Sequence, residues 1–200
     1  GGPEEGDVLI TCATIVQSYM LMLAMPMSGI TLGCQGVVSF NLGAGDRARV
    51  KQALWGVFLL CFFFAALMLV VTKLFAPRFV LLFSKDSEVL SRTVRYIGIY
   101  MAGVLCMAVQ WMCVDMFTAL GEVRFALFCS LFRKGLFLSG IILFPMLFTA
   151  AAAFAAEPFC DVAASLVSAA LFLRFVPRVL AKYCSREGVQ PQNELVKESP

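Results

Sequence analysis

The sequence predicts an all-α integral membrane protein built around a five-helix bundle. Of its 200 residues, 60% are hydrophobic and only 14% are charged. A soluble domain carries roughly 25% charged residues, so this chain has too little polar surface for a water-soluble globule of its size. The second observation is a series of charge-poor runs, each at least close to the ~20 residues that a helix needs to cross a bilayer.

The charge-poor runs define five membrane spans. We place them at about residues 8–42, 53–83, 93–120, 130–150 and 156–177. Together they make a membrane domain over residues 1–182, and the polar residues 183–200 are predicted to form a disordered tail. An odd number of spans fits half of a larger bundle more easily than a complete one.

The first run is longer than an ordinary span, so it forms either one long kinked helix or a tight two-span hairpin. Pro26 and Gly29 mark the possible break. Only acidic charges precede this run and basic charges follow it, and cytoplasmic loops are enriched in Lys and Arg. This pattern favours a single span that starts outside the cell.

The later spans then alternate in direction. Arg124, Arg133 and Lys134 fall on the cytoplasmic side, in or beside the loop before the fourth span, and we expect no Lys or Arg deep inside a span. The bases that follow the fifth span also fall inside. We expect an integral protein of the cell (plasma) membrane with a cytoplasmic C-terminus.

The residue types also limit the chemistry. The chain has no histidine, which excludes a His-based triad and a His metal site. Its eight cysteines form no C-x-x-C pair, so we expect them to pack as small apolar residues. The two acids inside the spans, Asp115 and Asp161, lie near opposite ends of their helices and do not converge. We therefore expect no enzyme activity, no cofactor, no metal and no nucleic-acid partner.

The most distinctive stretch covers residues 26–54, PMSGITLGCQGVVSFNLGAGDRARVKQAL. Small residues at helical spacing let another helix approach closely, and a proline opens the backbone ladder. The stretch is therefore either a tight helix crossing or a flexible segment of a transport path. The residues assigned to packing or a hinge are Pro26, Gly29, Gly33 and Gly36. Gln35 and Asn41 add polar groups that are candidates for lining a path for substrate or cations.

The third span carries an acid, and ionisable groups inside a membrane are functional candidates by default. Asp115 is either a cation or proton site lining a central cavity or an interfacial acid that reaches cytoplasmic water, where Arg124 or Arg133 could pair with it. Gln110 and Trp111 lie near the middle of the span, where they either contact an organic substrate or serve packing and an interhelical hydrogen bond.

The second acid, Asp161, lies one turn inside the fifth span with Glu157 four residues before it. The helix dipole favours anions at a helix N-terminus, which explains both acids as a boundary feature. The alternative is a role in cation entry from outside.

Three segments resemble the MATE family, the multidrug and toxic compound extrusion transporters. The first is G-I-x-x-G-x-Q-G-x-x-S-x-N-x-G-A-G-x-x-x-R-V-K over residues 29–51. The second is ALGEVRFALFCSLFRK over residues 119–134, which is similar to the family's loop between its tenth and eleventh helices. The third is the segment at residues 158–161, which opens the last span. The resemblance implies helices eight to twelve, most of one six-helix lobe of a twelve-helix transporter.

The resemblance also implies a function. It implies an exporter of organic, cationic or amphiphilic compounds that exchanges them for protons or sodium by alternating access. The implied partners are membrane lipid, a small organic substrate, H⁺ or Na⁺ and an N-terminal lobe outside this chain. Some family members carry a cation-coordinating acid nearer the middle of helix ten, where this chain has Gln110 and Trp111. The alternatives are a lipid-linked saccharide exporter of the same superfamily and a non-transporting membrane subunit.

Overall fold

The computed structural model describes residues 3–83, 86–147 and 154–186, and six helices account for nearly all of them. They are α1 (Pro3–Gly43), α2 (Arg47–Leu81), α3 (Ser87–Met101), α4 (Val104–Ala119), α5 (Val123–Leu147) and α6 (Ala156–Arg186). Four of them, α1, α2, α5 and α6, are each long and apolar enough to cross a membrane. The bent pair α3 and α4 makes a fifth span if it is counted as one.

The first predicted span is one continuous helix. α1 runs through Pro26 without ending, so the hairpin alternative is wrong. It ends where the sequence predicts: Gly45 has a positive φ of 70°, a conformation that glycine adopts without steric cost. The Asp46 side chain then accepts a 3.0 Å hydrogen bond from the Arg49 backbone N–H and caps α2.

The third predicted span is broken. α3 and α4 meet at an angle of 48° around residues 102–103. Gly103 precedes α4 in an ordinary conformation, with φ −89° and ψ −5°, and no side chain caps the new helix. A Cβ added to Gly103 would lie 2.8 Å from the Cα of Pro158 on α6. Glycine is therefore required here because two backbones approach closely.

α4 occupies the centre of the fold and contacts α1, α2, α5 and α6. Its side chains supply much of the buried core, including Val104, Met116 and Phe117. Across the bundle, the buried Tyr19 hydroxyl on α1 lies 2.7 Å from the Thr72 hydroxyl on α2. Large apolar side chains such as Phe40 and Leu173 are exposed, as expected where lipid or another part of a bundle covers the surface.

Two predicted boundaries need correction. The fourth span was expected to begin near residue 130, but α5 begins at Val123. Arg133 and Lys134 therefore lie ten and eleven residues inside a helix, not in a cytoplasmic loop, about 15 Å from its start at 1.5 Å per residue. The predicted tail also starts later than residue 183, because α6 continues to Arg186. The rest of that tail, residues 187–200, lies outside the described residues.

Candidate functional site

A cavity of about 290 Å³ opens between α1, α4 and α5. Its polar lining is unusual for a membrane bundle, because it includes one acid and two bases as well as hydroxyl, amide and indole groups. The lining residues are Ser28, Leu32, Gln110, Trp111, Val114, Asp115, Ser130, Arg133 and Lys134. Charged side chains at membrane depth normally face a watery cavity or a partner group.

Three of the five predicted path residues meet at this cavity. Gln110, Trp111 and Asp115 all come from α4 and line the same space. Gln35 and Asn41 do not line it. The Asn41 side-chain amide instead donates a 2.7 Å hydrogen bond to the Val37 carbonyl of its own helix. Among the described residues, its hydrogen bond is therefore made within α1.

The predicted packing glycines face open space. A Cβ added to Gly29, Gly33 or Gly36 would meet no atom of the described chain within 4 Å. A tight helix crossing at these positions therefore does not occur within the described part of this chain. Packing against a helix from outside it stays a prediction, as does a hinge at Pro26.

Asp115 is half-buried and lines the cavity, with the Thr31 hydroxyl of α1 beside it. The alternative pairing with Arg124 or Arg133 is wrong for the described residues. Arg133 pairs instead with two acids of α6. Asp115 is therefore a carboxylate on a cavity wall that has no ion-pair partner within 4.0 Å in the described structure.

Gln110 joins three helices. Its amide oxygen accepts a 2.6 Å hydrogen bond from the Ser168 hydroxyl of α6, and its amide nitrogen donates at 3.3 Å to the Cys129 carbonyl of α5. The side chain is 2% exposed. The packing interpretation of Gln110 thus agrees with the structure, and the side chain still forms part of the cavity wall.

The sequence did not predict a buried three-charge cluster between α5 and α6. The Arg133 guanidinium donates to Oδ1 of Asp161 from Nε at 2.9 Å and from Nη2 at 2.8 Å. Nη2 also donates to the Glu157 carboxylate at 2.6 Å. Hydrogen-bonded charge pairs of this kind compensate part of the cost of burying each ion. The boundary explanation of the two acids is therefore incomplete, because they also bind an arginine.

Two acids one turn apart at the start of α6 were a signal for this cluster, because they place two carboxylates on one helix face. Arg133 was not recognised as their partner because the start of α5 was predicted near residue 130 and not at Val123. A base about three turns into a helix needs a partner in the membrane, and those acids are the available ones.

The sequence profile of the MatE family matches residues 5–146. The chain belongs to the MatE family. No curated protein matches the chain. The predicted resemblance is therefore confirmed, and with it the expectation that the chain is not an enzyme, since members of this family are transporters.

Solved MATE structures share the fold. An inward-facing multidrug resistance MATE family transporter of the MOP superfamily matches with a TM-score of 0.73 and 16% identity, over 90% of this chain and 40% of that one. An outward-facing one matches with a TM-score of 0.78 and 17% identity, over 88% and 40%. A MATE crystal structure in complex with MaL6 matches at 0.75 and 17%, over 91% and 41%.

The chain therefore spans about 40% of the length of these MATE structures. The predicted all-α membrane fold that corresponds to one lobe of a transporter is confirmed. In the described part of this MatE lobe, ionisable groups from different helices meet at the cavity on α4 and at the charge cluster between α5 and α6.

Proposed function

We propose that this chain is part of a multidrug and organic-cation exporter that works as a proton- or sodium-coupled antiporter by alternating access. The observation that carries the proposal is the meeting of Asp115, Trp111 and Gln110 on one cavity of a MATE-like lobe. Neighbours of this fold include both an inward-facing and an outward-facing transporter. Two such states are the requirement of alternating access.

The cavity offers the chemistry that an organic cation needs. The Trp111 ring supplies an aromatic face for a flat or quaternary cation. The carboxylate of Asp115 supplies a negative charge, and at an effective dielectric of about 20 a cation ~4 Å away gains about 4 kcal/mol. An organic cation and a coupling ion compete for Asp115, because one carboxylate cannot neutralise two cations at once. This competition makes exchange possible, since each favours a different state.

One observation favours the second candidate, an exporter of lipid-linked saccharides. The expectation that no span interior carries a base is wrong, and Arg133 and Lys134 both line the cavity. Basic groups suit the phosphates of such a substrate. Arg133, however, is held by two acids, and Lys134 is the remaining base on the wall. The organic-cation proposal therefore stays first.

The test measures binding by the purified chain in detergent micelles with radiolabelled tetraphenylphosphonium as the probe. We expect saturable binding that Asp115→Asn weakens at least tenfold, which corresponds to about 1.4 kcal/mol. The matched control is Glu122→Gln, which removes an acid in the turn before α5 and outside the cavity lining. Equal binding by Asp115→Asn and the unchanged chain would refute the role of the carboxylate.

The coupling ion and the transport step need a second measurement. The chain is reconstituted into liposomes together with the N-terminal lobe that the resemblance implies, and probe movement is followed under an imposed proton gradient, an imposed sodium gradient or neither. A coupled antiporter moves the probe only when the gradient of its coupling ion is imposed, and in the direction opposite to the flow of that ion. A well-folded protein that binds the probe and moves it under no condition would support the non-transporting subunit instead.

A further inference from the structure

The charge cluster of Arg133, Glu157 and Asp161 does not balance. It contains one base and two acids, so its formal charge is −1. All polar contacts between the helices in the cluster involve the guanidinium of Arg133, which makes three hydrogen bonds of 2.6–2.9 Å to the two carboxylates. One negative charge of the cluster is therefore left without an ion-pair partner among the described residues.

The excess charge lies where water has little access. The Asp161 side chain is fully buried, and those of Arg133 and Glu157 are 11% and 16% exposed. Burying an uncompensated charge is costly, so such groups bind a counter-ion or a proton. Within the described structure, Oδ1 of Asp161 takes both hydrogen bonds from Arg133, whereas the buried Oδ2 accepts none.

Oδ2 lies against the broken span. A Cβ added to Gly103 would stand 3.2 Å from this oxygen, which places it at the point where α3 ends and α4 begins. The start of a helix contributes only about half a positive charge, too little to neutralise a carboxylate. Interrupted membrane helices that meet a buried charged group form ion sites in secondary transporters generally.

The groups around the cluster supply no second positive charge in contact with the two acids. Tyr100 of α3 and Cys160 of α6 lie within electrostatic range of the acids, and both are neutral donors. The charge of Lys134 is also within electrostatic range of Asp161, but this side chain lies on the exposed side of α5 and lines the cavity. Within the part of the chain that the structure describes, Lys134 forms no ion pair within 4.0 Å with either acid of the cluster.

We propose that Asp161 binds one monovalent cation, a proton or a sodium ion, on its Oδ2 side at the break between α3 and α4. The bound charge brings the cluster to neutrality. Arg133 also lines the Asp115 cavity, but Asp161 does not, and only the role of this site in transport rests on the function proposed above. Release of the cation would leave the buried −1 charge without a counter-ion. A bound cation therefore favours the state in which α6 packs against the break between α3 and α4.

Two binding measurements on the purified chain distinguish the two cations. In sodium-free choline buffer, infrared difference spectra on acidification should show a protonated carboxyl band that Asp161→Asn removes and Asp115→Asn retains. At alkaline pH, radiolabelled sodium should bind with the same dependence on Asp161 if sodium is the ligand. A signal in either measurement supports the proposal and names the cation. No Asp161-dependent signal in both would overturn it, and the cluster would then be a static ion cluster that holds α5 to α6.

Glu157→Gln is the variant that separates charge balance from folding. It keeps the Arg133–Asp161 pair but brings the cluster to a net charge of zero, so cation binding should fall at least tenfold while the chain still elutes as a folded protein. Unchanged binding in Glu157→Gln would also overturn the proposal. Failure of probe binding at Asp115 would leave these results standing, so the two proposals fail independently.

Discussion

Replacing Gly103 with alanine tests the break between α3 and α4 directly. The backbone at this position, with φ −89° and ψ −5°, is accessible to alanine, so the substitution introduces no conformational strain. The new methyl group would, however, stand 2.8 Å from the Cα of Pro158 and 3.2 Å from the Cβ of Asp161. Any effect on stability therefore reports the closeness of α6 to the break.

The magnitude follows from those distances. Carbon atoms in contact prefer a separation of about 3.5–4.0 Å, so the break and the start of α6 must move apart by about 0.7 Å. Because the neighbour is backbone, no side-chain rotation relieves the clash. Overpacking of this kind costs about 1–3 kcal/mol. Alanine in place of glycine also restricts the unfolded chain, which returns about 0.4–1 kcal/mol.

Gly98→Ala is the matched control. Gly98 lies on α3, five residues before Gly103, and a Cβ added there would meet no described atom within 4 Å outside its own stretch of helix. The gain from restricting the unfolded chain applies to both variants and largely cancels in their difference. We expect Gly103→Ala to be less stable than Gly98→Ala by about 1–3 kcal/mol, measured by unfolding the purified chain with increasing SDS in mixed micelles and following circular dichroism. Equal stability of the two variants would refute the close approach of α6 to the break.

Three further substitutions test contacts between helices in the same unfolding assay. Arg133→Gln leaves two buried carboxylates without their cation and should cost about 3–5 kcal/mol; a loss below about 1 kcal/mol would mean that the cluster is hydrated. Tyr19→Phe removes the hydroxyl that lies 2.7 Å from Thr72 and should cost about 0.5–1.5 kcal/mol, whereas no change would mean that the bond adds nothing. Ser168→Ala removes the 2.6 Å hydrogen bond to the buried Gln110 oxygen and should cost about 1–3 kcal/mol; a neutral result would show that the amide finds another donor.

Local features of the fold were predictable because their causes are local. Long apolar runs identified the spans, and the predicted end of the first span near residue 42 lies next to the end of α1 at Gly43. The cavity residues Gln110, Trp111 and Asp115 were also predictable, because helical periodicity and polarity within one span identify side chains that need water or partners.

The two features that were missed depend on contacts distant in sequence. No proline marks the break at Gly103 in the sequence. The break lies where α6, more than fifty residues further along the chain, approaches the backbone at Gly103. Arg133 was placed in a loop because a hydropathy pattern counts a charge as a cost whether or not it is paired. The carboxylates that pair with it are on another helix, so the sequence around Arg133 does not reveal them.

α4 lies between the two proposed ion sites, Asp115 on its own cavity wall and Asp161 at its start. Its first turn lies against Asp161, and Asp115 follows Gly103 by twelve residues, about 18 Å along the helix. Between them, Gln110 is hydrogen-bonded to both α5 and α6. Because Asp115 and the residues next to Gly103 belong to one helix, a tilt of α4 that widened the cavity at Asp115 would also change how closely Gly103 approaches Asp161. If ligands at the two acids both favour the same position of α4, each would raise the affinity of the other by the same factor.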